Sequence, residues 1–164
     1  MGSPLQSDKS TLTIRPALMS DVEGIHELID EASRTTTVLP RTRDSICESL
    51  RDYAIALRSG RIIGCAALHI WGVDLAEIRS VVVDPGCRGQ GIGAGMIEDL
   101  VRSARGLALV RLFVLTDEVR FFEKLGFGET ERGTLPHKIW NECILCPKFE
   151  DCGEVSLDMR LDKT

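Results

Sequence analysis

The chain has no uncharged run long enough to span a bilayer. The longest, Ile62 to Val73, falls well short of the roughly 20 apolar residues that a spanning helix needs. Met1 to Ser10 is polar and lacks the apolar stretch of a secretory leader, so it reads as a disordered tail. Lysine and arginine form no long block, and the formal charge is −5, which argues against a nucleic-acid or anionic-membrane partner. Internal repeats and low-complexity linkers are absent, as is any Gly-Lys-Ser/Thr, which removes the P-loop. What remains is 164 residues, 43% hydrophobic and 27% charged, the make-up of one soluble domain able to bury its own core. The expectation is a single cytosolic domain over residues 11–164.

The six cysteines are Cys47, Cys65, Cys87, Cys143, Cys146 and Cys152; with nothing to direct secretion, they are expected as reduced thiols. Cys65, inside the apolar run Ile62–Leu68, reads as a small core residue.

Strands and helices alternate along the chain. Thr11–Arg15 alternates polar and apolar, as a first strand does. Ser20 and Glu23 have capping-box spacing ahead of a helix carrying Val22, Ile25, Leu28 and Ile29 on one face as far as Ser33. After a polar loop, Arg34–Pro40, a second helix is expected over Asp44–Arg51. Tyr53–Arg58 and Arg61–Trp71 then form a hairpin turned at Ser59-Gly60. Glu77–Val83 is the next strand, and strict alternation places Glu77, Arg79, Val81 and Val83 on one side. A helix over Ile92–Ala104, a buried strand Leu109–Leu115, a short helix Phe121–Leu125 capped by Gly126 and a last strand Val155–Leu161 complete the reading. The fold class is α/β, a mixed sheet with helices on both faces.

Between Val83 and Met96 the chain passes from a β-branched strand through Arg88-Gly89-Gln90-Gly91-Ile92-Gly93-Ala94 into a helix. Glycines that tolerate positive φ, exposed first-turn N–H groups and the helix dipole make such a junction a cradle for phosphate or pyrophosphate, and Arg88 adds a charge at its rim. The interval from Gly91 to Gly93 does not fit a dinucleotide fingerprint.

Arg88-x-x-Gly91-x-Gly93, followed by Phe121-Phe122-Glu123-Lys124-Leu125-Gly126-Phe127, resembles the two ordered landmarks of the GNAT superfamily of N-acetyltransferases. The resemblance implies the GNAT acyl-CoA N-acyltransferase fold, a mixed, mostly antiparallel sheet whose fourth and fifth strands splay apart to admit acetyl-CoA. Backbone of Val81, Val82 and Val83 would pair with the pantetheine, and Arg88, Gly89, Gln90, Gly91, Ile92, Gly93 and Ala94 would hold the pyrophosphate, with Phe122 also lining the cofactor site. Gly64–His69, Ala76–Ser80, Leu112–Thr116 and Leu135–Lys138 further resemble short bacterial N-acetylglutamate synthases, which lack an amino-acid-kinase domain. That resemblance covers roughly Thr11 to Leu161. It implies acetylation of the α-amine of L-glutamate, the first step of arginine synthesis, by direct attack in a ternary complex, and a homodimer as a family property.

Acyl transfer to an amine needs a base for the amine and a route for the thiolate to leave. Glu77 stands where relatives keep the carboxylate base; as an isolated residue it reads equally as a solvated strand-edge charge. Many relatives carry tyrosine at the position of Phe122 as the acid, and a phenyl ring donates no proton. Thr116 is the hydroxyl left for that role, its other reading being a helix cap. Glutamate carries two carboxylates, and Arg41, Arg43, Arg79 and Lys138 match positions that would make its pocket cationic. Taken singly, each is an ordinary surface charge.

His137, Cys143, Cys146 and Cys152 have donors for a tetrahedral structural zinc, or for an iron–sulfur cluster, while unligated or redox-active thiols explain the same residues. The rival functions are a GNAT enzyme acting on another small amine or a protein N-terminus, and a non-catalytic module that senses CoA or metal.

Overall fold

A computed structural model describes residues 11–136, 139, 142, 143, 146 and 153–162. A seven-stranded sheet runs in the order β1-β2-β3-β4-β5-β7-β6, formed by β1 (Thr13–Pro16), β2 (Tyr53–Arg58), β3 (Arg61–Ile70), β4 (Leu75–Val83), β5 (Arg111–Thr116), β6 (Gly128–Glu129) and β7 (Val155–Arg160). All neighbouring pairs are antiparallel except β4 and β5. The helices are α1 (Val22–Ser33), α2 (Arg43–Glu48), α3 (Ile92–Gly106) and α4 (Val119–Lys124).

The β2–β3 hairpin turns at Ser59 and Gly60, both at positive φ (52° and 71°), the backbone of a type I′ turn, which matches strand twist. Helices cover both faces, as the alternating pattern predicts. On one, Ile92, Met96, Ile97, Leu100 and Ala104 of α3 meet Ala56, Ala66, Ile78 and Val114, with Phe122 and Phe127 completing the cluster. On the other, Ile25 and Ile29 of α1 and Ile46 of α2 pack on Tyr53, Ile55, Cys65 and Val82. Removing Ile25 or Ile29 side chains, both fully buried, is expected to cost about 2–5 kcal/mol each.

Three local expectations are corrected. Ser20 is not a helix cap. A 3-10 turn at Met19–Asp21 precedes α1, and Asp21 accepts the Leu18 N–H at 2.7 Å while forming a two-pronged ion pair with Arg15. The second helix is shorter than expected, ending at Glu48 before a separate 3-10 turn at Leu50–Asp52.

The third correction matters most for the site. In the β3–β4 ladder Ala67 faces Arg79 but Cys65 faces Val82, so one more residue lies on β4 than on β3 between these rungs. Ser80, within this bulge, takes φ +54°. A bulge inverts the alternation beyond it. Glu77 and Arg79 therefore lie on the side opposite Ala76 and Ile78, whereas Val81 and Val83 pack toward the α3 cluster. Strict alternation fails because the extra residue leaves no mark in the hydrophobic pattern.

Candidate active site

The β4–β5 pairing stops early. Leu75, Ala76 and Glu77 are in register with Arg111, Leu112 and Phe113, and beyond Glu77 the parallel strands diverge. From Ile78 onward the β5-facing edge of β4 has no strand partner among the described residues, an unused row of backbone donors and acceptors. The gap opens a cleft of about 870 Å³.

One end of the cleft is built by backbone. Gly89 and Gly91 have φ of 74° and 78°, and a side chain at either would meet nothing within 4 Å, so both face open space. The first α3 hydrogen bond runs from Gly95 N–H to Gly91 O at 3.0 Å. The preceding N–H groups of Ile92, Gly93 and Ala94 are left for a ligand, at the positive end of the helix dipole. At Gly93 a Cβ would sit 3.2 Å from the Phe121 ring and 3.6 Å from Val83, so glycine here permits close packing. Arg88 lines this end. Gln90 does not: its side-chain oxygen accepts from Arg58 at 2.8 Å, outside the cleft.

The middle of the cleft holds the reactive candidates. Glu77 is only 8% exposed, and the Trp71 indole N–H donates to its Oε2 at 2.9 Å. Arg79 Nη1 stands 3.9 Å from the same oxygen and 3.3 Å from Glu142. Burial raises the Glu77 carboxyl above the usual carboxylate range, against the lowering effects of the Trp71 bond and Arg79, and Glu142 adds to the rise. The solvated-edge reading of Glu77 is thereby replaced by a buried, basic carboxylate. Thr116 is also buried and lines the cleft; its Oγ1 accepts the Glu118 N–H at 2.9 Å, which leaves its own proton to donate. The helix-cap reading of Thr116 is corrected: Glu118 is the N-cap of α4 and carries no side-chain cap, and Thr116 instead closes the turn ahead of it while lining the cleft. Phe122 is buried edge-on to Phe121 and Phe127, closing the wall without a donor.

Over this region runs the segment after α1. Thr37 donates to Asp117 at 3.2 Å, tying that segment to the end of β5, and Arg41 enters the cleft with a buried Nε that has no hydrogen-bond partner among the described residues. Arg43 is not brought in. It forms a two-pronged pair with Glu23 at 2.6 and 2.7 Å on the surface. Lys138 lies outside the described residues, as do His137 and Cys152. Cys143 and Cys146 line the cleft, joined by a turn with Cys146 N–H on Cys143 O at 3.0 Å. Among the described residues no group of three or more side chains gathers as a metal site.

Residues 22–127 match the acetyltransferase (GNAT) family. The chain belongs to this family. This acetyltransferase is 35% identical over 140 residues to the amino-acid acetyltransferase of Mycobacterium tuberculosis, covering 84% of the chain and 79% of that relative. Its fold superposes on Rv2747 of the same organism, solved with CoA, with a TM-score of 0.79 and 31% identity over 92% of the chain and 99% of the other. N-acetylglutamate synthase from Neisseria gonorrhoeae, solved with coenzyme A and N-acetyl-glutamate, gives a TM-score of 0.82 at 25% identity; the match spans 94% of this chain but 36% of the synthase. The splayed fourth and fifth strands are thus the architecture of an acetyltransferase. No helix among the described residues is long and apolar enough to cross a membrane.

Sequence reasoning missed Trp71, Glu142 and Arg132 in or beside the cleft. Trp71 lies two residues beyond His69, which the β3–β4 ladder sets opposite Glu77, a register that no local pattern in the sequence fixes.

Proposed function

We propose that this acetyltransferase transfers the acetyl group of acetyl-CoA to the α-amine of L-glutamate. The observation that carries the reading is a buried carboxylate, Glu77, beside the guanidinium of Arg79 in the cleft that Arg41 also lines, at the point where β4 and β5 part. The names of the relatives support an amino-acid acceptor, and two cations suit an acceptor with two carboxylates.

Acetyl-CoA enters with its pantetheine along the open edge of β4 at Val81–Val83 and its pyrophosphate on the Arg88–Ala94 turn. Arg79 and Arg41 take the acceptor carboxylates, the former by exchanging its contact with Glu142. Glu77 receives the amine proton, and the freed nitrogen attacks the thioester carbonyl. The C–N bond forms, the C–S bond breaks, and the second proton shed by the nitrogen passes through the Thr116 hydroxyl to the departing thiolate. The product would stand at the entry to arginine synthesis.

Varying acetyl-CoA and L-glutamate together tests this reading. Direct attack predicts N-acetylglutamate as product and intersecting double-reciprocal lines; parallel lines, or no acetylation of glutamate at saturating acetyl-CoA, contradict it.

A further inference from the structure

Behind Glu77 lies a connected row of side chains that the acetyl-transfer scheme leaves unused. Asp52 Oδ2 is 3.0 Å from His69 Nδ1, the His69 ring meets the Trp71 indole edge-on with centroids 5.0 Å apart, and the indole N–H reaches Glu77 Oε2 at 2.9 Å. Trp71 is also held through its backbone: its N–H and that of Gly72 both donate to Leu75 O, at 3.0 and 3.2 Å, closing the β3–β4 turn. The turn is pinned from the other side, where the Val110 and Arg111 N–H groups donate to Asp74 O. The indole therefore approaches Glu77 from a rigid frame.

Both close neighbours of the carboxylate address one oxygen. Trp71 and Arg79 face Oε2, and Oε1 has no hydrogen-bond partner among the described residues. We infer that Trp71 is a positioning residue for acetyl transfer, its indole N–H fixing Glu77 through Oε2 so that Oε1 is presented to the acceptor amine, with His69 and Asp52 holding the indole. This rests on the reading of Glu77 as the base. A glutamate free to rotate would present either oxygen in many orientations, and a proton acceptor must sit within hydrogen-bond reach of the proton it takes.

Among the described residues the charged groups that act on Glu77 are Arg79 on its own strand, Glu142 across the cleft and His69 on β3, backed by Asp52; β5 packs the uncharged Phe113 and Leu115 beside Trp71. The Trp71 bond favours the ionised carboxylate, so its loss moves the titration upward. Trp71→Phe keeps the ring among Leu75, Phe113 and Leu135 and removes only the donor. It is expected to lower kcat about 10- to 100-fold with little change in the KM for acetyl-CoA, and to move the acid limb of kcat/KM upward by about one pH unit. A merely structural indole would leave the pH profile in place.

Wild-type protein offers a second readout should the variant fold poorly. The chain has two tryptophans, and the indole 15N–1H resonance of Trp71 should titrate with the midpoint of the kinetic acid limb and lose that titration in Glu77→Gln. A Trp71 resonance that does not titrate, or a wild-type pH profile in Trp71→Phe, overturns the positioning role. Inactive Glu77→Gln beside an unaltered Trp71→Phe removes that role alone; fully active Glu77→Gln removes the base and the positioning role together.

Discussion

At the residue scale, burial separates groups that look alike in sequence. Arg41, Arg43 and Arg79 read as one cationic set, yet Arg43 spends its charge on Glu23 while the other two reach the cleft. Arg41→Ala and Arg79→Ala should each raise the KM for glutamate about 10- to 100-fold, as loss of a charged hydrogen-bond partner implies, with acetyl-CoA affected within about twofold. Arg43→Ala should leave both constants unchanged. Steady-state kinetics with each substrate varied decides this, and equal effects on the two constants would contradict the carboxylate clamp. The cysteines divide the same way. Cys65 is fully buried, its thiol bonded to the Ser80 carbonyl at 3.4 Å and pushed up to about 12 by burial, whereas Cys47 is exposed. Under native conditions a mass-resolved alkylation time course should label Cys47 readily and Cys65 only on unfolding. The assignment of Cys65 to the core was legible from its apolar neighbours. The escape of Arg43 was not, because its partner lies on another helix.

At the scale of elements, what local pattern dictates was readable. The Ser59-Gly60 turn, the glycine junction ahead of α3 and the apolar faces of α1 and α3 each follow from residue chemistry within a short window. The bulge at Ser80 follows from no such window, since it is a disagreement in register between β3 and β4. Its consequence is functional: it turns Glu77 and Arg79 to one side of the sheet and Val81 and Val83 to the other, beside α3. The capping expectation at Ser20 failed similarly, because Arg15 on β1 draws Asp21 into a preceding turn. Positive φ at Gly91 makes a further prediction. Gly91→Val places a β-branched residue where the left-handed backbone costs about 1–2 kcal/mol, and should raise the KM for acetyl-CoA well above its effect on the acceptor. An unchanged acetyl-CoA constant would remove the junction from the cofactor site.

At the scale of the whole molecule, the cleft between β4 and β5 sets arginines, Arg41, Arg79, Arg88 and Arg132, among carboxylates that include the buried Glu77, and stability is set against chemistry there. Two carboxyls shift in opposite directions. Arg15 holds Asp21 below the usual range, a contribution present above the ordinary carboxylate range and lost as pH falls through the lowered value. Glu77 is raised by burial, so its protonated form favours the fold below the ordinary range and that contribution disappears as pH rises through the raised value. Thermal melts at neutral pH should therefore show Asp21→Asn less stable than wild type, the gap closing in acid, and Glu77→Gln more stable although inactive. A loss of Tm in Glu77→Gln at neutral pH would contradict a buried charge held at a cost. The family was legible from two spaced landmarks, whereas the proposed acceptor rests on arginines far apart in the chain, Arg41 and Arg79, that the fold brings to one cleft.

The acceptor is therefore the claim to measure. CoA release from acetyl-CoA should be followed across the twenty amino acids, a few polyamines and a short peptide, with the signal of the protein's own thiols subtracted. The account predicts turnover with L-glutamate and its close analogues alone. Preference for a polyamine or the peptide, or CoA binding with no turnover on any acceptor, would contradict it.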